Sequence, residues 1–165
     1  MISPFQRRFT IFLFLLVVAI FLNIHHLEAM PKMYFRHGAV ASAKTLNLVA
    51  VAHNYRTQGK PVVILKPAMD VRFSVTEVRS RAGLSEKADF LVRPDTDILK
   101  LALNQSEKIY CVLVDEAQFL NPTQIDQLRL ATVTWNVPVI CYGLRTDFRT
   151  NLVYTLYALY TPYTL

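Results

Sequence analysis

Cysteine, glycine and charge are all scarce in this chain. Its 165 residues hold 2 Cys, Cys111 and Cys141, with no Cys-x-x-Cys pair. A four-thiolate zinc site therefore cannot be built from this chain alone, and a disulfide scaffold is equally excluded. Gly numbers 4 and Pro 8, which sets aside collagen-like and low-complexity chains. Charged residues make up 18% against 53% apolar, the reverse of what a disordered chain needs. The net charge of +6 comes without long Lys/Arg clusters, so charge gives no ground for nucleic-acid binding. What is there is about one domain's length of apolar-rich chain.

The apolar excess is uneven. Ile11 to Leu22 reads IFLFLLVVAIFL without a break, with weaker flanks out to Phe9 and Ile24, and Arg7 and Arg8 precede it. A spanning helix wants about 20 apolar residues and a signal-peptide core about 7–15, and this run falls between them. His25-His26-Leu27-Glu28-Ala29 lacks the small residues of a cleavage site, so a membrane signal anchor over residues 9–24 fits better than a cleaved signal. A third reading starts the protein at Met30 and leaves residues 1–29 as a spurious extension. Function is therefore read from residue 30 onward.

From there strands and helices alternate. Lys32–Arg36 reads as a short strand, and Leu46–Gln58 as a helix that stops at Gly59. Pro61–Lys66 is a continuous apolar run of the kind a strand buried on both faces requires. A loop carrying Asp70 and Arg72 follows, then a short strand over Ala88–Val92 and a strong one over Ile109–Val114. Pro122–Val133 is helical, with Asn121 placed to cap it just before Pro at the first position. Val137–Tyr142 is a further strand. This alternation predicts an α/β domain with a mainly parallel sheet, and no internal repeat is visible.

Two motifs stand at strand ends. Gly38…Lys44-Thr45 lies between a strand and a helix, in register with the phosphate-binding pattern GxxxxGK[ST] except that Ala43 replaces the second glycine. In such a loop, backbone N–H groups and the helix N-terminus hold phosphate oxygens, the Lys reaches the β- and γ-phosphates, and the Thr ligates Mg²⁺. Against this, Lys-Thr commonly opens a helix with no ligand in view. The second motif is IYCVLV followed by Asp115-Glu116, the form of a Walker B strand whose acid serves magnesium. An acidic pair also ends many strands as a solvated cap. Parallel strands bring their C-terminal ends to one edge, so Lys44 and Asp115 could share a crevice, and the two motifs together are far more specific than either alone.

Met33–Gly38 (MYFRHG), Ser42-x-Lys44-Thr45, VVILKPAMDVRF, SRAGLSEKADFLV, CVLVDEAQFL and VPVICYGLRTDFR together resemble the cellular-type (type II) thymidine kinases of bacteria. The resemblance covers about residues 30–149. It is more specific than a likeness to DEAx-box helicases, which would need a second motor domain. It implies a P-loop NTPase (RecA-like) core, ATP and Mg²⁺ as cofactors, and transfer of the γ-phosphoryl group to the 5′-hydroxyl of thymidine in deoxynucleotide salvage. It also implies a cytoplasmic protein and a homotetramer. Residue by residue, it makes Gly38, Ala39, Val40, Ala41, Ser42, Ala43, Lys44 and Thr45 the phosphate loop. Asp115, Glu116, Ala117, Gln118 and Arg72 complete the ATP side. Glu116 matches the general base, and Thr45 and Asp115 the magnesium side. Asp70 and Arg72 match a loop that steadies phosphate and metal. Phe119 matches an aromatic against thymine, and Leu144 and Phe148 match apolar lining of the nucleoside pocket. By pattern alone, Phe119, Leu144 and Phe148 read as core packing, and Cys111 and Cys141 as small buried apolar residues.

There are departures. Val40 stands where the family has Met, and Ala43 where it has Gly. A left-handed residue there would cost about 1–2 kcal/mol without glycine. After Arg149 the chain reads TNLVYTLYALYTPYTL, an apolar tail unlike the family's zinc ribbon and thymine-gripping lasso. The sequence thus reads as an extension over 1–29, a kinase core over 30–149 and a divergent tail over 150–165, truncated at the C-terminus and without ligands for the structural zinc. Three expectations follow: a weak thymidine kinase, a catalytically dead remnant, or a membrane-anchored nucleotide-binding module.

Overall fold

Val62–Pro67 has six consecutive buried residues, which a strand achieves only with layers packed on both faces. The computed structural model describes residues 32–70, 74, 76–103 and 108–146, with backbone alone at 102 and 103. The apolar run near the N-terminus, Arg72, Phe148 and the 150–165 tail lie outside those residues. Among the described residues no helix is long and apolar enough to cross a membrane.

In chain order the elements are β1 (Met33–His37), α1 (Lys44–Thr57), β2 (Val62–Pro67), β3 (Glu77–Arg79), β4 (Ser85–Lys87), β5 (Phe90–Val92), α2 (Ile98–Leu103), β6 (Cys111–Val114), a 3₁₀ turn (Ala117–Phe119), α3 (Pro122–Thr134) and β7 (Val139–Gly143). Five strands form one sheet in the order β1-β7-β6-β2-β5, and all of its pairings are parallel. β3 and β4 form a separate antiparallel hairpin.

The strands divide their side chains between two cores, as the period of two demands. Cys111 and Leu113 of β6 pack with Ile64, Tyr142 and the buried face of α1, Leu48, Val49 and Ala52. Val112 and Val114 of the same strand pack with Val63, Cys141, Ile98 of α2, and Ile125 and Leu128 of α3. The result is an α/β arrangement with α1 over one face and α2 and α3 over the other. Both cysteines are buried, and burial pushes the Cys111 thiol up to about 12.

The predicted α1 starts two residues earlier than read, at Lys44, and its C-terminal turn closes through Gly59 at φ +68°. α3 carries the predicted Asn121 cap. The Gln124 N–H donates to Asn121 Oδ1 at 2.9 Å, and Gln124 Oε1 accepts from the Asn121 N–H at 3.2 Å, completing a capping box. The β3–β4 hairpin and α2 were not predicted. The hairpin strands have three residues each and read EVR and SEK, too short and too polar for a period-two signal.

Because the five strands are parallel, His37, Pro67, Val92, Val114 and Gly143 end on one edge. The segments that leave this edge, including the first turn of α1 and the 3₁₀ turn, carry every described candidate residue.

Candidate active site

The loop after β1 is shaped by its smallest residues. A Cβ on Gly38 would lie 2.3 Å from Ser42 Oγ, so only glycine lets the loop close that tightly. Ala41 and Ala43 both take left-handed backbone, at φ 66° and 59°. Ala43 is the residue that replaces the motif's second glycine, and it adopts the conformation glycine would favour. It is also the N-cap of α1, and its methyl gives that helix end no capping bond. Left-handed residues in a turn that leads into a helix N-terminus form an anion-binding concavity. The Lys44 ammonium lies within the loop, donating to Gly38 O at 3.0 Å and Ala39 O at 2.7 Å.

Thr45, the first residue after Lys44, reaches across to β6. Its hydroxyl lies 3.3 Å from both carboxylate oxygens of Asp115, 70 residues away in the chain. Asp115 is buried, and its carboxyl is pushed up to about 6. Burial is the main cause and the neighbouring Glu116 carboxylate adds to it, while hydrogen bonds from Thr45 and the Glu116 N–H pull the other way.

Glu116 turns the chain out of β6. Its backbone is left-handed at φ 48°, and it caps the 3₁₀ turn. For a residue with a Cβ this conformation is strained, and such strain gathers at functional sites. A cleft of about 270 Å³ runs between the phosphate loop, the β3–β4 hairpin tip, Glu116 and Leu144. Arg79 and Arg81 of the hairpin line it opposite the loop, two cations that the sequence reading missed. Their signal was the Arg-x-Arg pair before Gly83.

Val40, Ala41 and Ser42 line the cleft, and Ala39 accepts from Lys44. Ala117 is fully buried and serves as core under the 3₁₀ turn. Gln118 sits in that turn, with its side chain toward Glu116 and Leu144. Phe119 is 41% exposed, so the reading of it as core packing is corrected: it ends a short turn at the sheet edge, where much of its ring stays open to solvent. Leu144 is half-buried in the cleft wall. Asp70 is buried and pairs with the buried Lys66 at 3.6 Å. The Lys66 ammonium also donates to Ser74 O and Glu77 O at 2.6 and 2.9 Å, which satisfies this buried cation. Among the described residues no three His, Cys, Asp or Glu side chains cluster to hold a metal.

A protein-family model for thymidine kinase matches residues 31–162. The thymidine kinase of Streptococcus gordonii is 43% identical over 123 residues, 74% of this chain and 64% of that protein. That of Enterobacteria phage T4 is 43% identical over 125 residues, with 74% and 64% covered, and that of Streptococcus pyogenes serotype M3 is 42% identical over 123 residues, with 74% and 65% covered. The chain thus spans 64–65% of the length of these curated relatives. A domain-long family match, over a parallel sheet whose edge joins a phosphate-type loop to an acidic strand end, has one outcome: the chain belongs to the thymidine kinase family.

Proposed function

We propose that this chain is an ATP-dependent kinase with a P-loop NTPase core, which transfers the γ-phosphoryl group of ATP to the 5′-hydroxyl of thymidine to give thymidine monophosphate. The observation that carries the reading is the Thr45–Asp115 contact at 3.3 Å. It brings the start of α1 and the end of β6 together, with Glu116 at the adjoining cleft, which supports reading them as one nucleotide-phosphate site.

The reading divides the work among the residues. The loop from Gly38 to Thr45 cradles the triphosphate, with Lys44 as its cation. Magnesium in phosphate sites is held by one or two carboxylates together with the substrate's own phosphates, not by an all-protein cage. The Thr45 hydroxyl and Asp115 carboxylate, both hard oxygen donors, fit that role. When bound, the ion neutralises charge on the phosphate oxygens. Glu116 accepts the proton of the 5′-hydroxyl. The nucleoside oxygen bonds to the γ-phosphorus as the bond to the β,γ-bridging oxygen breaks, and ADP leaves with that electron pair. Phe119, Leu144 and Phe148 are the proposed apolar walls for the nucleoside, and Arg72 the proposed cation for developing charge.

The test is phosphorylation by the full chain with Mg²⁺ and γ-labelled ATP, offered thymidine and deoxycytidine separately. The expected product is labelled thymidine monophosphate alone. Label on deoxycytidine at the same rate would overturn the substrate assignment, and ATP binding with no transfer to either would leave a nucleotide-binding module.

A further inference from the structure

Gln118 has a side chain whose two ends are committed in opposite directions. Its Nε2 donates to Glu116 Oε2 at 2.5 Å, and its Oε1 accepts from the Leu144 N–H at 3.1 Å. The amide can take only one orientation here. An ionised carboxylate only accepts, and a backbone N–H only donates, so both partners assign the nitrogen and the oxygen the same way. The two partners belong to different elements. Glu116 begins the 3₁₀ turn after β6, and Leu144 is the first residue beyond β7. Glu116 is itself in left-handed backbone at φ 48°, a conformation that the surroundings must hold in place.

Gly143 makes room for this arrangement. A Cβ there would come within 2.6 Å of Gln118 Oε1 and 3.2 Å of the Phe35 ring. The glycine leaves room for the Gln118 carboxamide and the Phe35 ring, and its own backbone angles do not demand it.

We propose that Gln118 is a positioning residue. Its carboxamide strut fixes the Glu116 carboxylate relative to the Leu144 wall of the cleft, so that the proton acceptor and the nucleoside wall move as one body. The inference rests on the function proposed above, since it takes Glu116 as the proton acceptor. It departs from a phosphate-binding role for Gln118, because the polar ends of its side chain are used inside the protein.

Two measurements on the full chain test it. In steady-state kinetics, Gln118→Met keeps the length of the side chain and removes both hydrogen bonds. A misaimed base lowers kcat on the order of 10- to 100-fold, while KM for ATP stays within about two-fold, since the triphosphate contacts are untouched. Gln118→Glu keeps the acceptor for Leu144 but sets a second carboxylate against Glu116, and kcat falls at least as far. Gly143→Ala, which brings a Cβ against the carboxamide without removing it, lowers kcat in the wild-type background. Unchanged kcat in Gln118→Met, or a rise in KM at constant kcat, overturns the proposal.

The second measurement needs no turnover. In ¹⁵N–¹H spectra, Glu116→Gln shifts the Gln118 side-chain amide, and Gln118→Met shifts the Leu144 backbone N–H. Absence of both shifts overturns the strut. Were the wild-type chain to transfer no phosphoryl group while both shifts appeared, the kinase reading would fail and the strut would stand.

Discussion

Asp115 sits where burial and charge work against each other. Its ordinary value is 3.8, and the fold pushes it up to about 6, through burial first and the Glu116 carboxylate second. A folded-state value above the unfolded one means that the folded chain binds the proton more tightly. Stability contributed by this group is therefore present at low pH and lost as pH rises from about 4 through 6. Each pH unit of displacement is worth about 1.4 kcal/mol, so the cost above pH 6 is on the order of 3 kcal/mol. Asp115→Asn removes the titration and keeps an acceptor for Thr45. In EDTA and without nucleotide, urea unfolding is expected to show the variant more stable than wild type at pH 7.5, with the difference closing below pH 4. A difference that stays constant across that range would contradict burial of the charged carboxylate as the cause. Ala43 is the second residue under tension. Its left-handed backbone costs about 1–2 kcal/mol, and glycine's greater freedom in the unfolded chain returns about 0.4–1 kcal/mol of that. Ala43→Gly is thus expected to stabilise the protein by roughly 0.5–1 kcal/mol in urea unfolding, and to tighten ATP in calorimetric titration by removing a methyl from the phosphate loop. Weaker ATP binding would mean that the loop depends on the methyl.

At the scale of elements, α3 is held to the sheet edge by its first turn. Asn121 closes the capping box with Gln124, and its Nδ2 also donates to Pro94 O at 3.0 Å. Gln124 Nε2 in turn donates to Arg93 O at 2.6 Å, so the cap ties the helix to the loop after β5. Asn121→Ala is expected to cost about 1–2 kcal/mol, at the upper end for a cap, because a tertiary hydrogen bond goes with it. A loss below about 0.5 kcal/mol in urea unfolding would show that the cap is replaced by water. The same elements show what the sequence could and could not disclose. Pro61–Lys66, Ile109–Val114 and Val137–Tyr142 were legible because buried parallel strands are unbroken apolar runs, and the structure has β2, β6 and β7 there within two residues. The Pro after Asn121 marked the start of α3 for a local reason. The β3–β4 hairpin carries no such pattern, being held by its pairing and by Val78 in the α1-side core. α2 is a single six-residue helix, shorter than any periodicity can declare.

For the molecule as a whole, the site is a product of topology. Lys44 and Thr45 come from the end of an edge strand, and Asp115 and Glu116 from the central β6, with β7 between them. The residues of the two motifs were legible because each sits at a strand end, and parallel strands share an edge. In the fold they meet through the Thr45–Asp115 contact. Less of the surrounding wall could be read. Arg79 and Arg81 reach the cleft only because a hairpin outside the main sheet turns toward it, and Gln118 matters through a bond to the N–H of residue 144, which no local spacing encodes. Phe119 looked like core because it is a large aromatic after a buried strand, yet it lies exposed at the end of a 3₁₀ turn. If this edge transfers phosphate with Glu116 as the proton acceptor, the most direct test is single-turnover transfer from Mg-ATP to thymidine by the full chain beside Glu116→Gln, with ATP binding measured on both. The expected result is transfer by wild type, a loss in the variant of at least about 100-fold, and ATP affinity equal within about two-fold. Transfer that survives in Glu116→Gln would contradict the role assigned to that carboxylate.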